Sequence, residues 1–272
     1  MPELPEVETV KQALAPILTG RTILRTEIFT PMLRTSTTPL GKTLPGRRIR
    51  ELSRRARYII ALLDDGNALV IHLGMTGVIR VENGSVPRRK HEHVFLHLDN
   101  GMIFRYEDVR RFGRLEVLPV GKAGIPEWFD AFGVEPLSPD FTPEYLFRCS
   151  RNVRSAVKNF LMDNAVVAGI GNIYATETLF EAGIDPRRKA ETLTRPQCRR
   201  IVETARKILE NAIRQGGTTI ADFRHVDGSE GKFALSLRIY GKTGQGCPVC
   251  GSRLESVKLG GRTSVFCPHC QK

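Results

Sequence analysis

Residues 57–73 consist of Arg57-Tyr-Ile-Ile-Ala-Leu-Leu63, then Asp64-Asp-Gly-Asn67, then Ala68-Leu-Val-Ile-His-Leu73. Two mainly aliphatic runs of strand length therefore flank four residues that are typical of tight turns. This pattern predicts a β-hairpin, because Asp, Asn and Gly tolerate the backbone conformations that a hairpin turn requires.

A second hairpin is predicted further along the chain, where His93–Leu98 and Met102–Tyr106 flank Asp99-Asn-Gly101. The pattern stays strand-like from Thr22 to about Leu118. Consecutive antiparallel strands must bury one face of their sheet, so this region predicts a β-sandwich or a barrel.

An amphipathic helix is predicted ahead of these strands. Apolar residues recur at helical spacing at Val7, Val10, Leu14, Ile17 and Leu18. Pro5 suits the first turn and Gly20 suits the end of this helix. Pro16 predicts that the helix bends or ends early. We expect the helix to lie against the sheet.

The expected domain boundaries follow from shifts in this patterning. Residues 1–118 form the first expected domain. Residues 119–143, which carry five prolines and little periodicity, form the expected linker. Residues 144–240 form a helical domain and residues 241–272 a cysteine-rich module. The sequence therefore predicts an α+β protein of two domains followed by a small module.

The clearest helix of the second domain is predicted over residues 195–215. Thr194 suits its N-terminal cap and Gly216-Gly217 its end. The residues that follow, 216–240, are polar and glycine-containing. A loop of this length inside a compact protein is usually functional.

The charge of the chain suggests its partner. The 272 residues include 41 Lys and Arg against 29 Asp and Glu, a formal net charge of +12. Such an excess favours a polyanion, because cationic side chains that neutralise phosphates release counterions. No apolar run reaches membrane-spanning length, and the start of the chain does not resemble a secretory signal. We therefore expect a cytoplasmic protein with no membrane partner. The alternative to a polyanion-binding protein is a globular protein that is merely basic.

Four of the six cysteines lie near the end of the chain. Cys247 and Cys250 form one pair, Cys267 and Cys270 the other, and 16 residues separate the pairs. Two thiolates from each pair complete a tetrahedral zinc site, and Gly260-Gly261 suits the tip of the hairpin between them. The sequence predicts one structural zinc; a redox or disulfide pairing is the alternative. Cys149 and Cys198 are expected to be ordinary buried thiols.

The first residues of the chain could carry nucleophilic chemistry. Removal of Met1 would expose the secondary amine of Pro2, which can attack an electrophilic sugar carbon. Glu3 and Glu6 are close enough in sequence to move protons. Acidic residues are also common in a first helical turn, where they offset the helix dipole. From these residues alone, the helix-dipole interpretation is favoured, because three carboxylates in seven residues do not by themselves identify an enzyme.

The string Pro2-Glu-Leu-Pro-Glu-Val-Glu-Thr9 resembles the opening of the formamidopyrimidine-DNA glycosylase family. The resemblance extends in order through the rest of the chain, up to the cysteine module, in the blocks Ile71-His-Leu-Gly-Met75, Lys90-His-Glu-His93, Asp108-Val-Arg-Arg-Phe-Gly113, Leu161-Met-Asp-Asn164, Gly169-Ile-Gly-Asn-Ile-Tyr174 and Gln215-Gly-Gly-Thr-Thr219.

This resemblance implies an N-terminal β-sandwich, a helical domain with a helix–two-turns–helix motif and a C-terminal zinc finger. It implies a bacterial, nucleoid-associated base-excision repair enzyme that acts as a monomer on duplex DNA containing oxidised purines. The enzyme would release 8-oxoguanine or formamidopyrimidines through a Schiff base on Pro2 and cleave the abasic site by β,δ-elimination. The loop at residues 216–240 would cover the extruded base.

The resemblance also assigns roles to residues. Pro2 would be the nucleophile and Glu3 the general acid, with Glu6 and Glu177 near the damaged base and sugar. Phosphate binders would be His72, Asn172 and Arg262, the last also serving in elimination. Other DNA-facing positions would be His91, Arg111, Arg154 and Lys158. Met75, Arg110 and Phe112 would fill the gap left by the extruded base.

Arg57 departs from the family pattern. Members usually carry lysine at this position, in the segment that here is Arg54-Arg-Ala-Arg-Tyr58. The lysine has been assigned as proton donor for β-elimination. Arginine holds its proton too firmly to be a good acid, but it binds phosphate well. The departure puts the acid role of Arg57 in doubt, and its binding role less so.

Two other functions compete with this interpretation. The first alternative is an oxidised-pyrimidine glycosylase of the endonuclease VIII type, although the sequences of that group typically begin Pro-Glu-Gly-Pro-Glu. The second and less favoured alternative is a non-catalytic nucleic-acid-binding zinc-ribbon protein. Such a module would need neither Pro2 nor Glu3.

Overall fold

The structure is a computed structural model that describes residues 1–218 and 233–272. The chain divides into two compact units. The first contains Met1–Asp130 and, among the described residues, 216–218; the second contains Ala131–Gln215 and Phe233–Lys272. The boundary between Asp130 and Ala131 lies within the predicted linker, whereas the boundary between Gln215 and Gly216 lies inside the predicted helical domain. Most of the predicted loop at 216–240, namely residues 219–232, lies outside the described residues.

Among its described residues, the first unit contains two antiparallel four-stranded sheets and two α-helices. One sheet has the strand order β1-β6-β7-β5 and the other the order β2-β3-β4-β8. The elements are α1 (Leu4–Leu18), β1 (Ile23–Ile28), α2 (Leu40–Thr43), β2 (Ile49–Arg55), β3 (Tyr58–Leu63), β4 (Asn67–His72), β5 (Gly77–Asn83), β6 (Glu92–Leu98), β7 (Met102–Asp108) and β8 (Arg114–Pro119).

Both predicted hairpins are confirmed. β3 pairs with β4 and β6 pairs with β7, each antiparallel. Residues of both sheets share one hydrophobic core: Ile59 and Leu69 come from the first hairpin, Leu96 and Phe104 from the second. A shared core between two sheets is a β-sandwich, so the predicted α+β class and the N-terminal sandwich are confirmed.

The helix α1 packs on β2 and β3, as expected. It continues through Pro16 to Leu18, so the early end that Pro16 suggested is wrong. Proline lacks an N–H donor but has a helical φ, so its presence costs the helix one hydrogen bond. The buried side chains of Leu14 and Leu18 hold this last turn against the core, and Thr19 N–H donates to the Ala15 carbonyl at 3.0 Å.

The second unit is mostly helical. Its helices are α3 (Pro143–Ser150), α4 (Val157–Leu161), α5 (Asn172–Glu181) and α6 (Arg195–Arg214). The cap predicted for α6 is confirmed: Thr194 accepts a hydrogen bond from the N–H of Gln197, whose side chain bonds back to Thr194. Cys198 is buried, as expected, whereas Cys149 in α3 is only half-buried.

The cysteine module forms the hairpin of β9 (Glu255–Leu259) and β10 (Arg262–Phe266). Gly260 and Gly261 form its tip with φ of +55° and +75°, the left-handed conformation that a two-residue hairpin turn requires. Phe180 of α5 packs into the core of this module. Among the described residues, no helix combines the length and the apolar composition needed to cross a membrane.

Candidate active site and nucleic-acid interface

The start of the chain places Pro2 and Glu3 immediately ahead of α1. Both residues are buried, whereas Met1 is 43% exposed. The N–H of Glu3 donates to Glu6 Oε2 at 2.8 Å. This bond ties the backbone beside Pro2 to the first turn of α1, so the residue predicted to be the nucleophile is held in a defined place.

Glu6 uses its second oxygen on a distant segment. Its Oε1 accepts the N–H of Thr218 at 2.8 Å, and the side chain is 2% exposed. Gly217 lies against it with φ of +75°, and a Cβ there would approach Glu6 Oε1 to 3.1 Å. Glu6 therefore joins the start of the chain to residues 217–218. Its carboxylate is occupied by backbone amides, which was not predicted.

A hollow of about 590 Å³ lies beside the start of the chain. Its walls combine an apolar part with cationic and imidazole groups. The lining residues are Met1, Leu33, Arg34, His72, Gly74, Met75, Arg111 and Phe112. Four of the positions predicted to contact DNA thus meet at one hollow with Met1, and Arg34 joins them without having been predicted.

His72 is 8% exposed at the end of β4, and its ring centre lies 4.7 Å from that of Tyr58, with the two planes tilted by 38°. Its Nδ1 accepts the N–H of Gly74 at 3.1 Å. Burial, and then the guanidinium groups of Arg57, Arg34 and Arg114, lower the pKa of His72 to about 4. His72 is therefore neutral at pH 7 with its proton on Nε2, and it can donate one hydrogen bond without carrying charge.

Arg57 is 7% exposed and follows Ala56, whose φ is +52°. Its charge acts on both His72 and Tyr58. Arg34 and Arg114 act on the same two residues, and sequence reasoning missed both of them. Only the fold brings these arginines from separate segments to one place, so no local motif could have identified them.

The predicted gap-filling residues lie on two adjoining loops. Phe112 is 47% exposed and Met75 is 38% exposed, and both line the same hollow. The guanidinium carbon of Arg110 lies 4.7 Å from the centre of the Phe112 ring. Arg111 between them has φ of +56°, a strained conformation of the kind that clusters at functional sites.

Asp108 joins these two loops. Its fully buried carboxylate accepts the Thr76 hydroxyl at 2.5 Å and the backbone N–H groups of Arg110 and Gly113 at 3.2 and 2.8 Å. Its backbone N–H donates to the carbonyl of His91 at 3.0 Å. Asp108 thus anchors the turn beside Met75, the loop 109–113 and the predicted DNA contact His91.

In the second unit, the predicted DNA contacts Arg154 and Arg262 are exposed, and Asn172 is half-buried at the start of α5. Lys158 differs from the prediction of a DNA-facing side chain, because it is 1% exposed. Its Nζ lies 2.7 Å from Asn172 Oδ1 and 2.7 Å from Ser264 Oγ.

Glu177 of α5 is 2% exposed and binds three backbone amides. Its Oε2 accepts the N–H of Arg238 at 2.8 Å, and its Oε1 accepts those of Ile239 and Tyr240 at 3.0 and 2.8 Å. The family resemblance implies a place for Glu177 near the base and sugar. In the structure this carboxylate holds the segment 238–240 against α5.

The four cysteines of the C-terminal module fit one zinc ion. Their Sγ atoms all lie within 4.8 Å of one another, and two of the separations are 3.9 Å and 3.5 Å. A tetrahedral zinc with bonds of ~2.3 Å to sulfur separates its ligands by ~3.8 Å. A disulfide needs ~2.05 Å between sulfurs, so these spacings match the metal and not the alternative.

Comparisons with known proteins agree across the chain. Residues 1–115 match the formamidopyrimidine-DNA glycosylase N-terminal domain, residues 132–224 the H2TH domain of that enzyme, and residues 244–272 the zinc finger found in FPG and IleRS. The formamidopyrimidine-DNA glycosylases of Stenotrophomonas maltophilia and Photobacterium profundum are 45% and 43% identical, with 100% of each chain covered.

Solved structures support the same assignment. Lactococcus lactis Fpg in complex with DNA containing an abasic site has a TM-score of 0.91 at 34% identity, with 100% of both chains covered. A variant of that protein bound to DNA containing Fapy-dG also has a TM-score of 0.91, at 35% identity and the same coverage. The chain belongs to the formamidopyrimidine-DNA glycosylase family.

Proposed function

We propose that this enzyme removes oxidised purines from duplex DNA and cleaves the resulting abasic site through a Schiff base on Pro2. The observation that carries the proposal is the hollow beside the start of the chain. There Met1 lies with a neutral hydrogen-bond donor, His72, a cation, Arg111, and two exposed apolar side chains, Met75 and Phe112. A nucleophile, a phosphate site and gap-filling residues are the groups that this reaction needs in one place.

The first step would use the amine of Pro2 after Met1 has been removed. The nitrogen attacks C1′ of the damaged nucleotide, the bond from C1′ to the base breaks, and the base leaves with that electron pair and takes up a proton. Opening of the sugar, with Glu3 as acid, then gives an iminium between Pro2 and C1′. The bond between Glu3 N–H and Glu6 supports this step, because it fixes the backbone next to the attacking nitrogen.

Two eliminations would follow. Loss of a proton from C2′ expels the 3′ phosphate, and loss of a second proton from C4′ expels the 5′ phosphate, which leaves a one-nucleotide gap. His72, Asn172, Arg57 and Arg262 would hold the phosphates during these steps. Arg57 would act by binding and not as the acid, since a guanidinium does not release its proton readily.

The substrate would enter as an extruded base, because the glycosidic bond is out of reach within a duplex. Phe112 and Met75 would occupy the gap in the stack, and Arg110 would contact the opposite base. We further propose that the enzyme acts as a monomer in the bacterial cytoplasm. Lactococcus lactis Fpg has also been crystallised with DNA containing an oxidised pyrimidine, so a test of substrate preference should include such a lesion.

Borohydride reduction tests the proposal. Wild-type protein incubated with duplex DNA containing 8-oxoguanine should give a covalent adduct, and mass spectrometry should place it on Pro2 as the first residue. Pro2→Gly should trap less adduct, whereas Pro5→Ala, a change in the first turn of α1, should trap as wild type does. Equal trapping by Pro2→Gly, or activity in protein that retains Met1, would refute the mechanism. A duplex with an oxidised pyrimidine that is cleaved faster would refute the proposed substrate preference.

A further inference from the structure

Lys158 of α4 is a lysine in an unusual environment, because only 1% of the residue is exposed. Lysine is rarely buried so completely unless its charge is compensated. Its contacts with described residues include Asn172 Oδ1 at 2.7 Å, Ser264 Oγ at 2.7 Å and the carbonyl of Thr263 at 3.4 Å. All three are oxygen acceptors, which suit an ammonium group because it offers only N–H donors.

The contact with Lys158 decides the orientation of the Asn172 side chain. An ammonium group offers only donors, so the oxygen of the Asn172 amide must face it and the NH₂ group must face away. The Nδ2 atom lies 3.4 Å from Tyr240 Oη, a long contact that can involve one of its two hydrogens. With the reverse orientation, Asn172 would present an acceptor, which repels a phosphate.

The other partners of Lys158 hold it in place. Ser264 is fully buried on β10, and its hydroxyl lies between Lys158 Nζ and the carbonyl of Arg262, 3.4 Å away. The neighbouring residues Val265 and Phe266 are also buried. The ammonium is thus fixed between α4, α5 and the zinc-bearing hairpin, whose packing leaves it little room to turn toward solvent.

We propose that Lys158 is a positioning residue: its buried ammonium orients the Asn172 amide so that Nδ2 donates to a DNA phosphate, and Lys158 itself contacts no phosphate. This inference rests on the proposed function, which places Asn172 at the DNA backbone. It replaces the direct DNA contact that the sequence suggested for Lys158 with an indirect one.

A double-mutant cycle tests the coupling. The zinc-loaded full chain is titrated with a duplex that contains a tetrahydrofuran abasic analogue, which is not cleaved. Lys158→Met and Asn172→Ala should each weaken binding about tenfold, the usual effect of losing a hydrogen bond to a charged group. If Lys158 acts through Asn172, the double variant should also lose about tenfold rather than about a hundredfold. Lys207→Met, at an exposed lysine of α6, is the matched charge control and should bind as wild type does.

The salt dependence of binding gives an independent readout. A lysine that neutralises a phosphate contributes about 0.9 to the slope of log K against log salt concentration. A buried lysine that orients a neutral amide contributes nothing to that slope. Lys158→Met should therefore bind more weakly with the slope of wild type. A slope reduced by about 0.9, or losses that multiply in the double variant, would overturn the proposal.

Ser264→Ala is a second, milder variant that tests the proposal even if Lys158→Met fails to fold. It leaves Lys158 and Asn172 in place but removes one of the oxygens that fix the ammonium. Its smaller loss of affinity should disappear when Asn172 is already alanine, and additive losses would count against the proposal. Because the analogue is bound without reaction at Pro2, the cycle can be read whether or not borohydride trapping succeeds, so the two proposals fail separately.

Discussion

The environment of His72 makes a quantitative prediction for the substitution His72→Gln. Glutamine can reproduce both roles of the neutral ring, with its oxygen accepting the N–H of Gly74 and its amide donating outward. Unlike histidine, glutamine has no group that takes up a proton in this pH range. The variant therefore separates the hydrogen bond of His72 from any charge on the side chain.

The magnitude follows from the pKa of His72, which burial and then Arg57, Arg34 and Arg114 lower to about 4. In the unfolded chain a histidine titrates near ~6.5. Between these values the unfolded state binds more protons, so the free energy of unfolding falls as the pH falls from ~6.5 toward ~4 and is unaffected by His72 above that window. At about pH 5 this loss amounts to about 2 kcal/mol.

Urea unfolding at about pH 7.5 and about pH 5 measures this difference. Wild type should lose about 2 kcal/mol more stability between the two conditions than His72→Gln does, since the other histidines are common to both proteins. Equal losses in the two proteins would show that His72 does not have a lowered pKa in the folded state. DNA binding adds a second check: the salt slope of His72→Gln should equal that of wild type, and a slope lower by about 0.9 would show that His72 binds phosphate as a cation.

Two further predictions concern other parts of the protein. Removal of zinc, or the double substitution Cys247→Ser and Cys250→Ser, should abolish DNA binding while circular dichroism still shows the β-sandwich, because the metal holds a small module together; undiminished binding would contradict this. Arg110→Ala should narrow the preference for cytosine over adenine opposite the lesion, by up to ~1–3 kcal/mol for a bidentate base contact. Phe112→Ala should slow excision from both duplexes alike, and single-turnover rates distinguish these outcomes.

The parts of the fold that were predictable are those specified by neighbouring residues. Asp64-Asp-Gly-Asn67 and Asp99-Asn-Gly101 mark their hairpins locally, and the spacing of the cysteines identifies the zinc module without reference to the rest of the chain. The distribution of the strands between the two sheets was not predictable. It depends on which strands pair within each sheet and on how the two sheets pack against the shared core. The early end of α1 predicted from Pro16 was wrong for a related reason. The tertiary contacts of Leu14 and Leu18 outweigh the local cost of proline in the helix.

The contacts made by the candidate site residues were not predictable from the sequence. Glu6 binds the N–H of Thr218, 212 positions away, and Lys158 binds Ser264, 106 positions away. A buried carboxylate or ammonium group produces no periodic pattern in the sequence, so the sequence does not reveal its hydrogen-bond partner in a distant segment. The neutral state of His72 was equally hidden, because it arises from burial and then from Arg57, Arg34 and Arg114, which come from three separate segments.

Trp128, the sole tryptophan of the chain, gives the enzyme an optical reporter. Its ring centre lies 5.1 Å from that of Tyr58, whose ring in turn contacts His72, and the Arg114 guanidinium lies 5.2 Å from the Trp128 ring centre. Indole emission responds to nearby charge, and tyrosine transfers excitation to tryptophan over such distances. If a phosphate binds at His72 as proposed, its charge should change the fluorescence of the unlabelled protein, so occupancy of this one subsite could be followed in real time.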